Sequence, residues 1–403
     1  MPNTQIQHRT VRTLAAAQVL NGVGVAGTVA AGSLLVSSIT DSETLAGLAQ
    51  TSAVLGAAAL ALPLARLTAH GGRRLALSVG YISGVIGSVF AILGGAHRNL
   101  FFMLLGTFLV GAASAAGYQA RFAAIDLATN ETRAKQLSFV VWGSTIGAVA
   151  GPNLMDPAGN LAEIFDLPRL VGPYIVSATT LFFATVVIQI FLRPDPYLTA
   201  EKQANVVQHK GSTKSALSHI RANPKALFAI SAIAVGHVAM VSVMVMTPIH
   251  MKQVDVSLRI IGFVISVHVL GMYAFSPVVG ALSDRLGRVR VIQIGLSILL
   301  ASAIVAGTAA ADNAIQLGVG LFLLGLGWSC TLIAGSAYLS ESVSVEMRPA
   351  SQGASDLVMN LSGAGGGALA GIIIGALSYG WLCLFAAVPV VFLFINSRKI
   401  IGN

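Results

Sequence analysis

The chain has 403 residues, 55% of them hydrophobic and only 10% charged, with a net charge of +9 and a mean hydropathy of +0.80. A soluble domain carries about 25% charged residues, so this composition excludes an ordinary soluble protein and points to a chain that crosses a membrane many times. Two cysteines, Cys330 and Cys383, exclude a disulfide framework; both read as small packing residues, with a redox or copper-relay role as the alternative.

A helical span needs roughly 20 apolar residues. Along the chain such runs fall at 12–37, 44–65, 75–96, 99–127, 136–156, 170–192, 223–249, 257–282, 289–310, 313–340, 350–377 and 380–397. They predict an all-α membrane protein of twelve transmembrane helices. The first residues, MPNTQIQHRTVRT, lack a signal-type cleavage pattern, so the first run is expected to stay as a helix. With both termini cytoplasmic, all but four of the 24 Lys and Arg lie on the inner side; Arg98, Arg169, Lys252 and Arg259 lie outside. This bias accounts for the positive charge without a nucleic-acid partner and leaves an inner face able to hold anionic lipid.

The two halves repeat at an offset of 215 residues. Gly72-Arg73-Arg74 falls on Gly287-Arg288-Val289, Asp126 on Glu341, Glu131 on Glu346 and Arg133 on Arg348. A parallel repeat of two six-helix halves is the signature of one large transporter class. The expected organisation is a half at 1–192, a polar cytoplasmic linker at 193–222 rich in breakers, and a half at 223–403.

Gly280-Ala-Leu-Ser-Asp284-Arg285-Leu-Gly287-Arg288 resembles the loop motif of the major facilitator superfamily, and with the duplicated halves the resemblance spans the whole chain. It implies a latch in which Asp and Arg pair with charges on neighbouring helix ends. Arg73 and Arg74 are expected to meet Asp126, and Arg285 and Arg288 to meet Glu341. Plain positive-inside anchoring is the alternative. The first-half copy is degenerate, with Ala69 and His70 where Asp and Arg would stand. Gly147-x-x-x-Gly151-Pro152 resembles part of the antiporter motif of drug–proton exporters, but the same spacing serves ordinary helix packing.

The seventh and eighth runs carry the chemistry. Of ten Met, five (240, 244, 246, 251 and 272) fall in GHVAMVSVMVMTPIHM and VISVHVLGMYAFSP or between them. Met240-x-x-x-Met244 and His268-x-x-x-Met272 are each spaced i, i+4, so each pair lies on one helix face. Thioethers select Cu(I), and imidazole tolerates it. At 1.5 Å per residue Met240 and His268 both lie roughly 15 Å from the outer helix ends, near the bilayer middle. An ionisable group at that depth is a functional candidate by default. His237 extends the Met240–Met244 stripe, and His250 with Met251 stands at its outer end, a possible path for the ion. A proton-carrier role for one His is the alternative. Asp356 and Arg121 are candidates for proton coupling, or else an inner-end salt bridge.

MxxxM in span 7 with HxxxM in span 8 is similar to the CcoA-type (CalT family) copper importers. The resemblance implies copper import into the bacterial cytoplasm across the inner membrane, for assembly of cbb3-type cytochrome oxidase. It carries Met240, Met244, His268 and Met272 over as ligands. Copper is then a substrate, with no resident cofactor, and cytoplasmic copper-handling proteins are possible receivers. A proton-coupled exporter of amphipathic compounds and a non-transporting copper-binding assembly factor are the rivals. No nucleophile, base and oxyanion arrangement marks an enzyme.

Overall fold

A computed structural model describes residues 2–42, 45–204, 218 and 220–401, so 205–217 and 219 of the expected linker lie outside the described residues. Among the described residues the regular structure is helical: α1 (Pro2–Thr40), α2 (Leu48–Ala96), α3 (Leu100–Ala123), α4 (Arg133–Asn153), α5 (Met155–Ile164), α6 (Gly172–Phe191), α7 (Pro196–Gln203), α8 (Pro224–Lys252), α9 (Leu258–Tyr273), α10 (Ser276–Leu286), α11 (Arg288–Gly307), α12 (Ala314–Ser342), α13 (Arg348–Ala376) and α14 (Tyr379–Ile401). Among the described residues ten helical stretches, with α9 and α10 counted together as one, are long and apolar enough to cross a membrane, or eleven if the bent α4–α5 pair is one span.

The difference from twelve runs lies in how apolar runs are punctuated. The runs at 44–65 and 75–96 fall on the two arms of α2, which is broken at Gly72 (φ +83°, ψ 176°). That backbone region is open to glycine almost alone. The run at 257–282 is interrupted after Tyr273, where α9 gives way to α10 with Pro277 in its first turn, yet the two together still make one span. Proline lacks the amide hydrogen that an interior helical position must donate, but it is tolerated in a first turn. The run at 136–156 bends by 63° into α5.

Two compact units emerge. One comprises Met1–Ala128, Phe139–Thr213 and Val345–Leu357; the other comprises Thr129–Ser138, Lys214–Ser344 and Val358–Asn403. In the first, small residues let backbones meet. A side chain at Gly56 would strike the Phe108 carbonyl of α3, and one at Gly87 the backbone of Gly106 and Val110. Lipid supplies no hydrophobic drive between helices, so such close packing carries the association.

Gly147 and Gly151 of α4 serve this purpose. Gly147 lies on Gly22 and Val23 of α1, and Gly151 on Ala26 and Gly27. Gly147→Val is expected to destabilise the protein by about 1–3 kcal/mol through overpacking. Thermal unfolding of the purified protein checks this; an unchanged midpoint would show that the α1–α4 contact yields freely.

Candidate functional site

α12 is the central helix of the second unit. It starts at Asn313, whose side chain accepts from the Gln316 amide at 3.1 Å. α8 starts at Asn223, which accepts from Lys225 N at 3.1 Å and Ala226 N at 3.2 Å, with Pro224 in its first turn. These caps satisfy amide groups that the helix itself leaves without partners. α8 packs on α12 where Gly236 meets Thr331 and Gly335 meets Ile233. α9 packs on α12 where Gly271 meets the Phe322 carbonyl and Gly325 meets the backbone of His268 and Met272. α8 and α9 themselves barely touch.

His268 is 0% exposed. Its Nδ1 lies 2.7 Å from the carbonyl oxygen of Leu321 on α12. A carbonyl can only accept, so Nδ1 carries a proton, and in the neutral ring the lone pair is then on Nε2. Nε2 is buried and has no hydrogen-bond partner among the described residues. Met272 follows one turn later, also buried, and Met240 is buried on α8 with Met244 half-buried beyond it. Each i, i+4 pair is therefore in place along its own helix. The helices that carry the two pairs both pack on α12.

The remaining path candidates are held in other ways. His237 Nδ1 accepts from Trp328 Nε1 at 3.1 Å, so that nitrogen is occupied. Trp328, 3% exposed, also meets Tyr273 edge-on with centroids 5.8 Å apart, which joins α8, α12 and α9 through aromatic rings. His250 stacks on Tyr379 at 4.4 Å between centroids, and the Tyr379 hydroxyl lies 2.8 Å from Thr247 Oγ1. His250 Nε2 is buried without a partner among the described residues, and Met251 is fully buried beside it in sequence. Among the described residues no group of three or more His, Cys, Asp or Glu gathers around one point. A metal here would need thioether ligands. Cys330 and Cys383 are free and buried; Cys330 packs on Gly295 and Cys383 on Gly307.

Charged residues gather where the repeats coincide. In the second unit Glu341 Oε1 accepts from Arg288 Nε at 3.0 Å and Nη2 at 2.8 Å, and Arg133 lies 3.5 Å from it. Arg288 also reaches Asp284 and the Asn130 carbonyl. Asp284 accepts from the amides of Ala134 at 3.0 Å and Lys135 at 2.8 Å, capping the first turn of α4, where a negative charge meets the positive end of the helix dipole. Arg285 is exposed and makes no ion pair among the described residues.

In the first unit Arg73 grips Asp126 with Nε at 2.8 Å and Nη2 at 3.1 Å, and also donates to Gln352 Oε1 at 2.6 Å. Arg74 contributes its backbone amide, to Asp195, rather than a bond to Asp126. Arg121 and Asp356 form a third pair at 2.6 Å with side chains 3% and 1% exposed. The repeat offers that pair no counterpart, because Ser336 and Val141 occupy the equivalent positions. Gln352, Trp328 and Asp195 were not expected as partners. A polar Gln in an apolar run and a lone Trp amid Gly were the only signals for the first two.

Comparison with known proteins gives a consistent result. The model of the Major Facilitator Superfamily matches residues 14–258 and 237–400. Two uncharacterized MFS-type transporters of Bacillus subtilis (strain 168) are similar: YdeG at 35% identity over 94% of this chain and 89% of its own length, and YddS at 33% over 95% and 89%. The riboflavin transporter RfnT of Brucella anthropi is 26% identical over 89% of this chain and 87% of its own. Among solved structures, the human organic anion transporter MFSD10 superposes with a TM-score of 0.76 at 13% identity, over 97% of this chain and 99% of that one. A bacterial homologue of the iron transporter ferroportin gives 0.74 at 14%, over 99% and 100%.

Proposed function

The chain belongs to the Major Facilitator Superfamily, and from that premise we propose that it is a copper importer, moving copper from periplasm to cytoplasm by alternating access. It is a multi-pass membrane transporter and not an enzyme. The observation that carries the copper reading is His268. A buried imidazole whose Nδ1–H is fixed by a backbone carbonyl, with Nε2 left as a lone-pair donor, has the orientation a metal-bound histidine needs. Met272 stands one turn away on the same helix, and Met240 and Met244 stand one turn apart on α8, which packs on α12 as α9 does.

In this reading copper is cargo, with no resident cofactor. It enters past His250 and Met251 and is held by Met240, Met244, His268 and Met272. α8 and α9 must close on each other around α12 for one ion to feel all four, a rearrangement that suits a transporter that binds in one state and releases in another. Neutral thioethers leave the cation its charge and favour release over the grip of thiolates. The protein sits in a bacterial inner membrane with both termini cytoplasmic, touches no nucleic acid, and passes copper to cytoplasmic copper-handling proteins for cbb3-type oxidase assembly.

A second reading has its own observation. The His237–Trp328–Tyr273 cluster offers a buried aromatic face with a hydrogen-bonding imidazole, which suits a flat organic cargo, and RfnT carries the name of a riboflavin transporter. The test is copper accumulation in cells lacking the protein, complemented with wild type or with Met240→Ala, Met244→Ala or Met272→Ala, each checked for membrane level. Restoration by wild type alone supports copper import. Equal accumulation in all strains overturns it, and Trp328→Ala with a flavin cargo becomes the next comparison.

A further inference from the structure

The two halves of the repeat differ at one point that the loop motif does not explain. Gly72 and Gly287 are repeat equivalents, and both adopt a left-handed φ, +83° and +92°. Around Gly287 a Cβ would meet nothing within 4 Å, whereas at Gly72 it would collide with the carboxylate of Asp195. The reverse holds three residues earlier. Asp284 caps the start of α4 in the second unit, while its equivalent in the first is Ala69, which has no carboxylate to give. Each turn thus has one carboxylate, and in the first unit it comes from the linker.

Asp195 is held on both sides. One oxygen accepts from the Arg74 amide at 2.8 Å; the other accepts from Tyr197 N at 3.0 Å and Leu198 N at 3.2 Å, capping α7. Tyr197, 2% exposed, places its ring 5.9 Å from the guanidinium of Arg73. Arg73 in turn donates to Asp126 and to Gln352 in the first turns of α13. α7 also packs against the turn Val345–Met347 that leads into α13. All these residues lie in one compact unit.

We propose that Asp195 is a positioning residue of the transport cycle, a linker-borne carboxylate at the α2 turn where position 69 offers none, which keeps that turn packed on α7 and, through α7, on the turn that leads into α13. Opening on the linker face then requires release of Asp195 from Arg74. The role is independent of what the protein carries.

The test uses the full chain with Cys330→Ala and Cys383→Ala, and a reporter cysteine at Ser351→Cys, a fully buried position on α13. The readout is the labelling rate by a membrane-impermeant thiol reagent applied from the linker face. Asp195→Ser retains a helix cap for α7 but is too short to reach Arg74 as well. Asp195→Ser and Gly72→Ala are both expected to speed labelling about tenfold, the scale set by losing one charge-assisted hydrogen bond. Adding Ala69→Asp with His70→Arg to Asp195→Ser is expected to restore the slow rate. A role confined to capping α7 predicts the parental rate for Asp195→Ser, and that result overturns the proposal. So does a rate that stays fast after the latch residues are restored. Should Asp195→Ser fail to reach the membrane, Gly72→Ala alone and with the same pair carries the comparison.

Discussion

Arg73→Ala is expected to cost about 3–5 kcal/mol of stability, because it leaves Asp126 charged, buried and without its guanidinium. Both side chains of this pair are 1% exposed, and the fork of Arg73 meets both carboxylate oxygens. The Arg73–Gln352 hydrogen bond is lost at the same time. Arg73→Lys is not a mild change, since an ammonium cannot repeat the fork or span to Gln352 in the same plane. The double variant Arg73→Met, Asp126→Leu is expected to regain most of the loss, because it removes both charges and fills the space. Thermal unfolding of the purified variants in detergent measures this. If Arg73→Ala melts with wild type, water reaches Asp126 and the buried-pair account fails.

His268→Asn is expected to leave the protein folded and to lower its copper affinity by more than about 100-fold. The Asn amide can take the place of Nδ1–H and still donate to the Leu321 carbonyl, but it has nothing to replace the Nε2 lone pair. Residues that only orient a metal ligand are already worth 10–100-fold in affinity, so loss of a ligand should exceed the upper end of that range. A His whose role is only to join α9 to α12 predicts normal copper binding in this variant. His268→Ala cannot separate the two, because it also leaves the Leu321 carbonyl without its side-chain donor. Acid should mimic the loss in wild type. Protonation fills the Nε2 lone pair, so affinity falls as pH falls. Titration of purified protein with Cu(I) against a competing chelator reads both effects.

Much of the architecture was legible because a lipid-facing helix must be apolar along its whole length. The runs at 223–249, 289–310 and 313–340 correspond to α8, α11 and α12 within a few residues. Punctuation was harder to read. Gly72 parts the runs at 44–65 and 75–96 where hydropathy separates them, but the break before Pro277 falls inside the run at 257–282, which hydropathy alone treats as whole. The i, i+4 pairs were legible because helical period fixes which side chains share a face. Period does not say which neighbour that face meets. His268 faces the Leu321 carbonyl because Gly271 and Gly325 let α9 and α12 approach to backbone contact, a choice made by small residues far apart in sequence. The ion pairs Arg73–Asp126 and Arg288–Glu341 followed the 215-residue repeat. Asp195 followed no repeat, and in a polar linker an Asp before Pro reads as solvated.

The central claim is tested most directly by copper uptake into vesicles containing only the purified protein, with copper kept reduced and His268→Asn as the control. The account predicts saturable uptake by wild type and background uptake by the variant. Wild-type vesicles that take up copper no faster than protein-free vesicles would contradict it.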